Sequence, residues 1–198
     1  MSYKFLAKVV KAIEMLVFFL RAYSYFLLPK FWFRKLGQRC QFKGFPRFGY
    51  AFRDICLGDN CILGKDIFFN CGPDSFINIG SNVGLNDYIY ISSVYGITIG
   101  NNTRIGEFVS IRDNDHQFSQ ADIPIRLQGF TGKPIKIGSD VWIGRGVYIG
   151  KGIEIGDGAV IGANSVVTKY IPPYAVAVGV PAKIIKYRTK EKLEVNSL

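Results

Sequence analysis

Histidine is almost missing from this chain. The 198 residues contain one, His116. A metal site built on several imidazoles is therefore excluded, and no metal is expected. Cysteine is sparse as well: Cys40, Cys56, Cys61 and Cys71 form no C-x-x-C pair. Together with the lack of a secretory apolar region ending in a small-residue cleavage site, this predicts a reducing, cytoplasmic setting and no disulfide framework. No uncharged apolar run reaches the roughly 18 residues of a membrane-spanning helix, because Arg21 interrupts the longest candidate. Acidic residues are few, 15 against 25 basic, for a formal charge of +10. The excess lies at the two ends. Lys4, Lys8, Lys11, Arg21, Lys30, Arg34 and Lys35 face only Glu14 in residues 1–36, and a second basic cluster occupies 183–192. Two basic ends around a balanced centre, without any nucleic-acid motif, predict no nucleic-acid partner.

What is present is a count in sixes. From residue 137 the chain reads IGSDVW, IGRGVY, IGKGIE, IGDGAV, IGANSV, VTKYIP. Aliphatic residues lead at Ile137, Ile143, Ile149, Ile155, Ile161 and Val167, and small or aliphatic residues follow at Val141, Val147, Ile153, Ala159 and Ser165. The same beat runs through Leu57, Leu63 and Phe69. It is reset at CGPDS, resumes at Ile79, Leu85 and Ile91, slips at YGI, and continues at Ile99, Ile105 and Ile111. A period of six is that of a parallel β-helix. Two or three extended residues form a short strand, and a compact residue that tolerates positive φ turns the corner. Leading and i+4 side chains point inward and stack on their copies in the next coil, so no coil is stable alone. Ordinary hairpins do not sustain strict sixes. Cys61 falls at an i+4 position and reads as a small buried hydrophobe.

After Ile111 the repeat breaks off at Arg112-Asp-Asn-Asp-His116 and resumes near Ile135. Repeat proteins carry functional insertions as loops on one face, and the lone histidine stands where this loop starts. Imidazole titrates near neutral pH, which suits removal of a proton from an attacking hydroxyl. Asp113, Asn114 and Asp115 are candidates to orient it, as is a backbone carbonyl.

The repeat, DNDH before the loop, KPIKIGSDVWIG after it, and IGANSVVTKYIPPYAVAVGVPAKIIK near the end together resemble the left-handed β-helix, hexapeptide-repeat acyltransferases of the sugar O-acetyltransferase type. The resemblance covers about residues 50–188. It implies the left-handed turn of the helix, acetyl-CoA as co-substrate, a homotrimer with active sites between subunits, and a saccharide acceptor from surface-polysaccharide or lipopolysaccharide synthesis. It implies His116 as general base, with Asp113 and Asp115 beside it. Asn86 matches an acceptor-binding asparagine; an acceptor-binding aspartate of galactoside-type members falls on Val94 here. Trp142 and Gly144 match the segment beside the thioester, where a backbone N–H would stabilise the oxyanion. Ala163, Thr168 and Lys169 match the coil along the pantetheine and adenine end of the cofactor. Lys183 and Lys186 match basic positions facing its phosphates, with Arg188 a further candidate; the same cluster also reads as a solvated terminal helix face. N-acetylation of an amino sugar and a non-catalytic β-helix scaffold are the alternatives. A γ-type carbonic anhydrase on this fold needs three histidines.

The expected layout is all-β: a basic, amphipathic helical arm over 1–50, the β-helix over 51–180 with an excursion loop at 113–134, and a basic segment with a short helix over 181–198. The arm places Phe5, Val9, Ala12, Ile13 and Leu16 at helical spacing opposite Lys4, Lys8 and Lys11, and Pro29 ends or kinks it. Two readings stay open for residues 1–36: packing on the trimer, or an in-plane anchor peripheral to the inner face of the cytoplasmic membrane, with Phe31, Trp32 and Phe33 at headgroup depth.

Overall fold

The computed structural model describes residues 32–49 and 53–189, with Ile13 alone among the rest. The predicted helical arm therefore lies outside the described residues. No helix among them is long and apolar enough to cross a membrane.

The described chain winds through six coils of three short strands. The first holds β1 (Phe33–Leu36), β2 (Gln41–Phe42) and β3 (Arg47–Phe48). The second holds β4 (Arg53–Leu57), β5 (Ile62–Leu63) and β6 (Phe68–Cys71), and the third β7 (Phe76–Ile79), β8 (Gly84–Leu85) and β9 (Tyr90–Ser93). The fourth holds β10 (Ile97–Ile99), β11 (Arg104–Ile105) and β12 (Ser110–Arg112), after which the excursion loop contributes β13 (Asn114–His116) and β14 (Phe130–Gly132). The fifth is β15 (Ile135–Ile137), β16 (Trp142–Ile143) and β17 (Tyr148–Ile149). The sixth is β18 (Glu154–Ile155), β19 (Val160–Ile161) and β20 (Val166–Val167), followed by β21 (Ala175–Val178) and β22 (Lys183–Tyr187). Each strand of a coil belongs to a different sheet. The first sheet runs β1-β4-β7-β10-β15-β18, the second β2-β5-β8-β11-β16-β19-β21-β22, and the third β3-β6-β9-β12-β17-β20.

The leading residues do what the period predicts. Leu63, Leu85, Ile105, Ile143 and Ile161 are register partners along the second sheet. They are 0–2% exposed, each stabilising the stack by roughly 1.5–3 kcal/mol through burial. At the corners the chain turns through left-handed residues, among them Asn60, Asn82, Asn102 and Asn164 at φ 56–60°. Tyr88, Phe108 and Tyr174 also take this conformation, at φ 60–61°. That is costly for a bulky side chain. For Tyr88 and Phe108, ring stacking at 5.1 Å and 6° offsets part of the cost.

Three features depart from expectation. The β-helix begins at Phe33 rather than residue 51: Gln41 and Phe42 pair with Ile62 and Leu63, and Arg47 and Phe48 with Phe68 and Phe69. Trp32 and Phe33, expected at headgroup depth, close the end of the prism. Phe33 is buried at 5% exposure and meets Phe69 edge-on at 6.0 Å, while Trp32 stacks on Phe48 at 5.2 Å. The expected short C-terminal helix is, over residues 183–187, strand β22, antiparallel to β21. β21 would otherwise leave an open sheet edge, and pairing that edge outweighs local helical preference.

All the interruptions of the repeat fall at one corner, between the third sheet and the first. GPDS lies between β6 and β7, VYG between β9 and β10, and the excursion loop between β12 and β15. The site is built there.

Candidate active site

Asp113 holds this corner together. It is fully buried, at 0% exposure. Its carboxylate accepts backbone N–H bonds from Val94 (2.8 Å), Tyr95 (2.8 Å) and Gly96 (2.7 Å). Ser93 Oγ lies 3.0 Å from it, and the Asn114 side-chain amide donates at 2.9 Å. Both oxygens are occupied, so Asp113, one of the candidates, does not orient the imidazole. It ties the turn between β9 and β10 to the root of the loop instead. Its carbonyl then accepts from Lys133 N at 3.0 Å, closing the loop's stem. Gly132 is required there, since a Cβ would meet the Asp113 carbonyl oxygen and the Tyr95 ring.

Above this anchor the stem is a two-stranded antiparallel ribbon. Asn114 faces Gly132, Asp115 faces Thr131 and His116 faces Phe130. The His116 ring lies 4.7 Å from that of Phe130. Among the described residues no carboxylate or carbonyl binds the imidazole. Asp115 pairs instead with Lys151 at 3.1 Å. His116 stands on the wall of a cleft of about 610 Å3 that also takes in Tyr90, Ser92, Arg112, Asp115 and Tyr148. Burial pushes the Tyr148 phenol above its usual pKa, and the nearby Asp115 adds to the rise. Arg112, Tyr90 and Tyr148 were not anticipated from sequence. They occupy outward positions on the third sheet, where the hexapeptide rule specifies only the inward ones.

The remaining predicted residues lie elsewhere. Asn86 is exposed at the corner after β8, and Trp142 stands 60% exposed on the outer face of the second sheet. Gly144 and Ala163 follow β16 and β19 on successive coils, and a Cβ on Gly144 would come within 2.6 Å of Ala163 N. The Trp142 and Gly144 N–H groups donate to Ala159 and Ile161 at 2.9 and 2.8 Å. Neither N–H is free for an oxyanion, which removes that role from these two groups and leaves their match to the cofactor-binding segment untouched. Thr168 and Lys169 are exposed after β20. Lys183 and Lys186 are exposed on β22, at the end of the second sheet. Arg188, a candidate phosphate ligand, pairs with Asp140 at 2.9 Å and donates to the Gly158 carbonyl at 2.8 Å, pinning β22 to the coil corners. The chain thus presents two separate groups. One is the His116 cleft on the third sheet; the other is Asn86, Trp142, Gly144, Ala163, Lys183 and Lys186 along the second, while Thr168 and Lys169 follow β20 at the end of the third.

A family model described as bacterial transferase hexapeptide (six repeats) matches residues 134–169. The chain is 34% identical over 168 residues, 81% of its length and 86% of the relative's, to WbbJ of Escherichia coli strain K12, a protein named provisionally as a lipopolysaccharide biosynthesis O-acetyl transferase. It is 40% identical over 131 residues to the galactoside O-acetyltransferase of the same strain, spanning 66% of this chain and 62% of that enzyme. A hexapeptide-repeat acetyltransferase from Vibrio cholerae O1 biovar eltor, solved with acetyl coenzyme A, superposes with a TM-score of 0.57 at 26% identity, over 84% of this chain and 77% of that one. The repeat, the stacked prism and these relatives agree: the chain belongs to the left-handed β-helix, hexapeptide-repeat acyltransferases, of the sugar O-acetyltransferase type.

Proposed function

We propose that the chain transfers the acetyl group of acetyl-CoA to a hydroxyl of a saccharide, by direct attack with His116 as general base. The observation that carries this reading is the placement of the only imidazole. It sits on the wall of the 610 Å3 cleft, fixed by a ribbon stem and backed by Phe130, with its nitrogens left for a substrate. In the reaction the acceptor oxygen attacks the thioester carbonyl as His116 takes its proton. The tetrahedral intermediate then collapses, the C–S bond breaks, and the imidazolium returns the proton to the departing CoA thiolate. A base of this kind contributes ~10²–10⁴-fold. Asp115 pairs with Lys151 and not with the imidazole, so in this reading orientation comes from Phe130 and the bound acceptor.

The split between the His116 cleft and the second-sheet group favours a homotrimer. A threefold arrangement sets the third sheet of one subunit beside the second sheet of its neighbour. Asn86 then contacts the acceptor held by the neighbour's His116. Trp142, Ala163, Thr168 and Lys169 line the cofactor arm, and Lys183 and Lys186 meet the CoA phosphates as point charges. Acetyl-CoA is the co-substrate that the liganded relative supports, and no metal takes part in this reading. The domain layout carries the functions: residues 1–31 hold the enzyme at an anionic membrane surface in the cytoplasm, the coils form the catalytic body, and residues after 181 complete the cofactor site. A screen of saccharides with labelled acetyl-CoA tests the proposal. Ester-linked label on a sugar supports it, whereas amide-linked label on amino sugars alone, or none at all, refutes it.

A further inference from the structure

Arg112 takes no part in the chemistry above, yet it faces the same cleft. It ends β12, one residue before the Asp113 anchor. Its guanidinium lies over the Tyr90 ring, 4.3 Å from the centroid, and its Nε donates to Ser110 Oγ at 3.2 Å. Among the described residues no carboxylate pairs with it. The two acids nearest in sequence are both committed, Asp113 to backbone N–H groups and Asp115 to Lys151. The cleft therefore holds a cation that forms no ion pair among the described residues.

Arg112 also ends a longer pattern. Parallel register sets Arg47, Phe68, Tyr90, Ser110 and Tyr148 in one outward column of the third sheet. Arg47 lies over Phe68 at 5.9 Å, and Phe68 stacks on Tyr90 at 5.1 Å and 24°. A rail of two guanidinium groups and two rings thus runs from the first coil to the cleft. Beside it, Asn70 donates to Ser92 Oγ at 3.2 Å, in the column that Arg112 completes.

Rings and neutral hydrogen-bonding groups suffice to hold a neutral sugar. A planar guanidinium, oriented on a ring and left without a carboxylate, matches an anionic oxygen pair. We propose that the acceptor carries a carboxylate or phosphate group, which Arg112 binds where its guanidinium, resting on the Tyr90 ring, faces the cleft. This rests on the acetyl-transfer reading, and it names the acceptor's class as an acidic saccharide. Arg112 sets specificity; it does not move a proton.

The test is calorimetry on the full-length protein saturated with CoA, titrated with glucose, glucuronate and glucose 1-phosphate. At least one of the two anions is expected to bind about tenfold or more tightly than glucose, and which one gains tells carboxylate from phosphate. Arg112→Gln should abolish the preference, Arg112→Lys should keep part of it, and high salt should weaken it. CoA affinity and melting temperature should hold in both variants, and His116→Ala should keep the preference. Equal binding of all three sugars, no detectable binding of either anion, or an intact preference in Arg112→Gln overturns the inference. So does a loss in Arg112→Gln that falls on CoA instead of the sugar. If the anions bind preferentially but are never acetylated, the acetyl-transfer reading fails while the Arg112 assignment stands.

Discussion

Replacing Asp113 with Ala should cost the protein more stability than any other acid-to-alanine change near the site. The substitution strands the N–H groups of Val94, Tyr95 and Gly96, now held at 2.7–2.8 Å. Ser93 Oγ keeps partners in Ser75 Oγ at 2.6 Å and the Phe76 carbonyl at 2.9 Å, so it adds little. A buried donor left unsatisfied costs about 1–3 kcal/mol. Three would cost up to ~9, but the vacated carboxylate volume admits water, and such terms do not add fully. The expected loss is about 3–5 kcal/mol, measured by denaturant unfolding at fixed protein concentration, because an oligomer's apparent stability depends on it. Asp115→Ala is the control. It breaks only the half-exposed pair with Lys151, worth about 0–1 kcal/mol. Asp113→Asn should fall between the two, because its amide presents donors to donors on one side. Turnover should drop in Asp113→Ala as the ribbon carrying His116 loosens, with CoA affinity retained. If Asp113→Ala unfolds within about 1 kcal/mol of the wild type, the corner is not held as described.

Three further outcomes are expected. Lys183→Ala with Lys186→Ala should weaken CoA binding by calorimetry without altering acceptor binding, and the deficit should shrink at high salt because exposed charges are screened; unchanged CoA binding removes both lysines from the site. Burial and Asp115 raise the Tyr148 phenol above its usual pKa. The native state therefore holds that proton more tightly than the unfolded chain. The stability it contributes is present below the unfolded value of about 10 and is lost as pH rises through the folded one. Ultraviolet difference titration should show one late phenol that Tyr148→Phe deletes, and no difference between the two curves refutes this. Residues 1–31, with net basic charge, should carry the full-length protein onto anionic liposomes in flotation, with partial release at high salt; recovery in the soluble fraction with and without these residues refutes the membrane reading.

The body of the fold was legible because its inward positions obey one rule. Ile137, Ile143, Ile149, Ile155 and Ile161 announced the period, and each is at most 1% exposed. The first coil carried the same beat at Leu36, Phe42 and Phe48. It went unread because aromatic residues replace the usual aliphatic leads. The aromatic corners at Tyr88 and Phe108 broke the expectation of compact residues at positive φ, since their stability comes from each other across coils. Strand β22 depends on a free sheet edge that no local pattern reports. In the site, His116 stood out as the sole imidazole at a break in the repeat. Asp113 was a candidate partner because nearness in sequence does not reveal that it sits in the bend between β12 and β13 with its carboxylate buried. Arg112 gave no signal at all, as an outward residue whose partners come from neighbouring coils.

The central claim is that His116 removes the acceptor proton. Single-turnover acetyl transfer by His116→Ala, measured beside its affinity for acetyl-CoA, tests it most directly. The transfer rate should fall by ~10²-fold or more, with acetyl-CoA affinity and melting temperature unchanged. A variant that transfers acetyl at close to the wild-type rate would contradict it.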